Sequence, residues 1–127
     1  MKLRINGNSI RLRLSQKEVQ SFKDAGSFSE TIDFGYSALT YTLKNRQDIE
    51  EVSAVFENDV ITIEVPQKIA VEWTETEMVG FNNDKIIEDC SEGLKILVEK
   101  DFQCLHKRPG ENETDMFPNP MSEVKNP

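Results

Sequence analysis

Apolar and polar residues alternate strictly at the start of the chain. Leu3 and Ile5, then Ile10, Leu12 and Leu14, are interleaved with Lys2, Arg4, Arg11 and Arg13. A period of two places one set on each face of a strand, and the break at Gly7-Asn8 supplies residue types that suit a tight hairpin turn. Pairing across that turn sets Ile5 opposite Ile10 and Leu3 opposite Leu12. The same pattern returns 51 positions later, where Asn58-Asp59 is the turn, Phe56 opposes Ile61 and Ala54 opposes Ile63. A short amphipathic helix follows each hairpin. The first is introduced by Ser15 with Glu18 three residues on, a reciprocal capping arrangement, and ended by Gly26, with Val19 and Phe22 inward. The second starts at Pro66 and offers Ile69, Ala70 and Trp73 as its apolar side. Phe22 and Trp73 are also 51 apart.

Strand-like runs follow each helix, at 28–34 and 39–43 in the first half and at 78–81 and 94–98 in the second. The 39–43 and 94–98 runs match at an offset of 55, so the second copy carries four extra residues, assigned to the polar, acidic stretch 83–92. The expectation is therefore a β-rich α+β fold in which two β-β-α-β-β repeats, 1–45 and 52–101, form a pseudo-symmetric small β-barrel. Units of this size are marginal alone and should share one core, making 1–101 a single domain. Residues 102–127 form an irregular polar tail, too poor in apolar residues for a core of its own. It is expected to dock in part, with its last residues disordered.

Two resemblances follow from particular residues. The opening Met-Lys-Leu-Arg-Ile-x-Gly-Asn-Ser-Ile-Arg-Leu-Arg-Leu, the stretch Val98-Glu99-Lys100-Asp101-Phe102-x-Cys104-Leu105 and the closing Phe117-Pro118-Asn119-Pro120 resemble a family of small uncharacterised bacterial proteins, over nearly the whole chain. That resemblance implies a bacterial, cytosolic, single-domain protein and supplies no function. A hairpin, a short helix entered from a strand ending in Pro (Val60-Ile61-Thr62-Ile63-Glu64-Val65-Pro66) and a second hairpin are similar to the swapped-hairpin barrel of AbrB-type regulators and MazE-type antitoxins. Two units in one chain would imitate their dimer, as in MraZ-type proteins. The Gly-Arg that usually precedes the second strand is absent from both copies, and Ser15 replaces Pro in the first.

Composition narrows the function classes. A net charge of −8 argues against generic binding to nucleic acid or anionic membranes. No run is long enough to span a bilayer and the N-terminus alternates instead of opening a signal segment, so a cytoplasmic protein is expected. Two cysteines, Cys90 and Cys104, are too few for a disulfide scaffold. The six glycines are scattered singly, so there is no phosphate loop, and no Gly-x-Ser-x-Gly turn occurs. Imidazole catalysis would have to use His106, the one histidine, in the tail. Trp73, Tyr36 and Tyr41 could line a pocket, although a Trp on the apolar side of a helix is usually core. These readings point to a non-catalytic binding or interaction module without a cofactor, a monomer or homodimer.

The oddest local feature is the polar face of the first hairpin. Arg4 falls opposite Arg11 and Lys2 opposite Arg13, and like charges directly opposed destabilise a sheet. Residues 1–14 hold four cations and no acid, leaving −12 on the remainder. Either Lys2, Arg4, Arg11 and Arg13 form an anion site, or carboxylates from the acidic loop or the tail pair with them; the second is the more ordinary outcome. Cys104 and His106, near several carboxylates, offer a weaker metal reading, because closed zinc sites usually draw on paired ligand elements. The tail motif Phe117, Pro118, Asn119 and Pro120 could dock on the domain or be recognised by a protein partner.

Overall fold

A computed structural model describes residues 1–83, 93–102 and 117. In chain order the elements are β1 (Lys2–Ile5), β2 (Ser9–Leu14), α1 (Gln16–Ala25), β3 (Ser27–Asp33), β4 (Ala38–Arg46), β5 (Ser53–Glu57), β6 (Val60–Pro66), α2 (Gln67–Glu75), β7 (Gly80–Asn82) and β8 (Lys95–Lys100). Both early hairpins take the expected registers, Ile5 with Ile10 and Phe56 with Ile61. Gly7, Asn58 and Asp59 all have positive φ, as tight turns of this kind demand. The side chain of Ser15 accepts from Glu18 N while Glu18 Oε1 accepts from Ser15 N at 2.8 Å, and Gly26 closes α1 at φ 80°. The second helix begins one residue later than the sequence suggested. Pro66 is still in the β6 ladder opposite Arg46, and its φ of −57° then leads the chain into α2.

The expected closed barrel is not observed among the described residues. The strands form two four-stranded sheets, in orders β1-β2-β8-β7 and β3-β4-β6-β5. Closure would need backbone ladders between edge strands of different sheets. Instead, side chains and one terminal group join the seam near β1 and β3: the Met1 ammonium bonds Glu18 and Glu30, and Tyr41 OH donates to Met1 O at 2.8 Å. Each sheet takes one hairpin from either half of the chain, joined by a parallel pair, β2 with β8 and β4 with β6. These two parallel ladders lie beyond what alternation in the sequence could reveal.

The inward faces of both sheets supply one buried cluster, including Leu12, Leu14, Leu43, Ile63, Val65 and Val98. The helices cover one end of it. Trp73 is fully buried on α2, stacked edge-on against Phe22 of α1 at 6.0 Å and Phe81 of β7 at 5.3 Å, with Nε1 donating to Val79 O at 3.1 Å. Lys100 is the cation on the inward side. Its Nζ donates to Thr76 O, just past α2, at 2.8 Å; burial pushes its pKa down, against the opposing pull of Glu77. No helix among the described residues is long and apolar enough to cross a membrane.

A candidate anion site on the first sheet

The outward face of the first sheet can be read in rows across its strands. One row runs Lys2, Arg13, Glu99, Gly80 and the next Arg4, Arg11, Leu97, Asn82. The hairpin brings the four N-terminal cations together in the predicted register. Opposed like charges need an answer, and most of it comes from the end of β8. Glu99 Oε1 lies 2.7 Å from Arg11 Nε and 3.3 Å from Arg13 Nε. The Arg13 contact is a hydrogen bond, whereas the Arg11 Nε–H is not directed along its contact, which is therefore ionic in character. Lys2 Nζ sits 2.8 Å from Asp101 Oδ2, and Asp101 is itself fixed by donating its N–H to Leu14 O and accepting at its carbonyl from Phe117 N.

Among the described residues, then, the carboxylates that meet these cations come from β8 and the residue after it. The acidic loop and tail, named as partners from sequence, lie outside the described residues for 84–92 and for all of the tail beyond Phe102 except Phe117. Glu99 and Asp101 are the neighbours of these cations that sequence reasoning missed. Their spacing of two was legible as a strand face, but their position against Arg11 and Arg13 depends on a parallel pairing between segments 86 residues apart, Ser9 with Lys95.

Arg4 is exposed and has no anionic partner among the described residues. It lines an open cleft of about 390 Å³ with Arg11, Lys95, Ser9 and Asn82. Asn83 holds the floor of this cleft together. Its Nδ2 donates to Leu94 O at 2.7 Å and its Oδ1 accepts from Ile96 N at 2.9 Å, so a side chain continues the ladder where β7 ends. Lys95, immediately after Leu94, is set on the cleft side by its pairing with Ser9 and by donating its N–H to Asn8 O at 3.0 Å. The arrangement offers cationic and amide donors with no nucleophile and base pair among them, chemistry suited to holding an anion.

The remaining predicted sites are placed as follows. Phe117 lies against the domain, its ring 5.8 Å from Phe102 and under Lys100 Nζ at 5.5 Å. Pro118, Asn119 and Pro120, and the metal candidates Cys104 and His106, lie outside the described residues. No cluster of metal-ligating side chains occurs among the described residues. Of the aromatic candidates, Trp73 and Tyr41 are buried, and Tyr36 is fully exposed at a hairpin tip.

A family model matches residues 1–121, nearly the whole chain. The chain belongs to the family of unknown function DUF7009. The cationic face, Glu99, Asp101 and Phe117 all fall within the DUF7009 match. No curated protein and no solved structure matches the chain.

Proposed function

We propose that this protein is a non-catalytic binding module whose first sheet takes a small anionic ligand, phosphate or carboxylate in chemistry, in the cleft bounded by Arg4, Arg11 and Lys95. The observation that carries this reading is Arg4, a guanidinium opposite another arginine and without a carboxylate among the described residues. A guanidinium in this position can present a planar pair of donors to an oxyanion. A nucleic-acid reading asks for more: a row of cations free to replace counterions along a backbone. Here Lys2, Arg11 and Arg13 already meet Asp101 and Glu99, so a compact anion fits better than a duplex.

The same reading takes 1–45 and 52–101 as pseudo-twofold copies of one unit, supported by the two hairpin-swapping parallel ladders. Only one copy is basic on its outer hairpin face. The matching positions of the second hairpin are Ser53, Val55, Thr62 and Glu64. The anion cleft thus combines the basic hairpin of the first copy with Asn82 and Lys95 of the second, in a protein expected to work in the cytoplasm.

The test is thermal melting of the full chain with phosphate, citrate and a nucleoside monophosphate. A ligand that binds only the folded state stabilises it by about 2.7 kcal/mol at about 100-fold over Kd. The Arg4→Gln variant should fold normally and lose most of that stabilisation. No stabilisation of the parent protein, or equal stabilisation of Arg4→Gln, overturns the assignment.

A further inference from the structure

The helices cover one end of the space between the sheets, and the opposite end is made of hairpin ends. Thr40 N donates to Asp59 O and Lys95 N to Asn8 O, so the turns within each sheet lie level with one another. Between the sheets at this end is an open groove of about 350 Å³. Ile10 and Leu94 line it from the first sheet, and Leu39, Ala54, Phe56 and Ile61 from the second. Large exposed apolar side chains are concentrated here. Ile5, Ile32, Phe34, Tyr36, Val55 and Phe56 belong to the hairpin ends, against only Val71 and Val79 elsewhere among the described residues. Phe56 is 66 % exposed and Ile5 59 %. An apolar concentration of this kind on a charged protein marks an interaction surface. A small apolar molecule filling the groove would leave Ile5, Phe34 and Tyr36 in water, so the surface fits a macromolecular partner.

The charges beside the groove say which one. The described ionisable side chains at the hairpin ends of the second sheet are Asp33, Glu57 and Asp59, and those of the first sheet are Arg4, Arg11 and Lys95. Among the described residues one rim is acidic and the other basic, with apolar residues between them. We propose that this end docks a second copy of the same chain, related by a twofold axis that lays the first sheet of each copy over the second sheet of the other. That operator brings Arg4 and Lys95 of one copy toward Glu57 and Asp59 of its mate, twice, and covers the groove with its own counterpart. The alternative twofold, first sheet over first sheet, would oppose like charges at both rims.

The mate's carboxylates and a free anion would compete for Arg4 and Lys95, so the two readings are told apart by measurement, association by mass in buffer free of the anion and the ligand by melting. Sedimentation equilibrium of the full chain should give a mass rising from 14.5 kDa toward twice that value with concentration. Phe56→Ser should hold the protein at the monomer mass with its circular dichroism unchanged. The decisive arm uses two charge reversals, Glu57→Lys with Asp59→Lys, and Arg4→Glu with Lys95→Glu. Each double variant alone should be monomeric, and an equimolar mixture should recover the dimer mass, since positions 4 and 95 of one copy and 57 and 59 of the other again carry opposite charges at both rims. A parent protein monomeric up to about 1 mM, the weak end of measurable association, overturns the proposal. So does a dimer that survives Phe56→Ser, or a mixture that stays monomeric.

Discussion

Glu99 illustrates how one side chain can set the character of a face. It stands half-buried between Arg11 and Arg13, and without it neither arginine would have a carboxylate partner among the described residues. Nothing in the local sequence marks Glu99 among 23 acidic residues, because its role is fixed by a partner strand far away in the chain. Local chemistry was legible where both partners are close in sequence. Ser15, Glu18 and Gly26 declared the limits of α1, since a capping box and a left-handed end need only neighbouring residues. Glu18 has a second duty that was not legible. Burial alone would raise its carboxyl pKa, but bonds from the Met1 ammonium and from Ser15 N–H, with the ammonium charge, hold it below the ordinary glutamate value. A depressed carboxyl contributes stability that is present above the unfolded-state pKa, near ~4.3, and lost as pH falls through the folded-state value. Urea unfolding at several pH values should therefore show Glu18→Gln less stable than the parent at pH ~7, with the difference shrinking below pH ~4. A difference that is constant with pH would assign Glu18 to packing alone.

Among elements, hairpins and helices were readable and strand limits less so. β4 runs on to Arg46, past the apolar stretch that announced it, because its parallel partner β6 continues opposite it to Pro66. β7 is shorter than its apolar run suggests: Met78 and Val79 precede the ladder, and the strand starts at Gly80. β7 approaches β8 closely at that residue. A Cβ at Gly80 would stand 2.5 Å from Val98 O, a backbone atom that cannot turn aside. Gly80→Ala should consequently lower the urea midpoint, with a loss of about 1–3 kcal/mol typical of overpacking and little change in m. Because Trp73 bonds the adjacent Val79 carbonyl, its fluorescence is a convenient report of the same transition. An unchanged midpoint would mean that β7 can move away from β8 without cost.

For the whole molecule, the class of fold was legible and the interleaving was not. Alternation names faces, but a strand's second neighbour is chosen by the tertiary structure. Here β2 lies between β1 and β8, and β6 between β4 and β5, so neither half owns a complete sheet. Cut between the halves, at residue 50, the two fragments should each show little cooperative unfolding alone, and mixing them should restore a cooperative transition followed by circular dichroism. Independent cooperative unfolding of either fragment would show that the shared sheets are dispensable.

The β2–β8 ladder also bears on how the protein is made. Ser9 leaves the ribosome 86 residues before its partner Lys95, an interval of roughly 4 to 17 s at about 5–20 residues per second. During that time β2, the inner strand of the finished sheet, has an edge with nothing beside it. The nascent chain must therefore carry an open strand until β8 has been made. The basic side chains that alternate along β2 give that edge a repulsive, soluble face while it waits, so Arg11 and Arg13, which meet Glu99 in the folded protein, also guard against premature pairing between neighbouring chains.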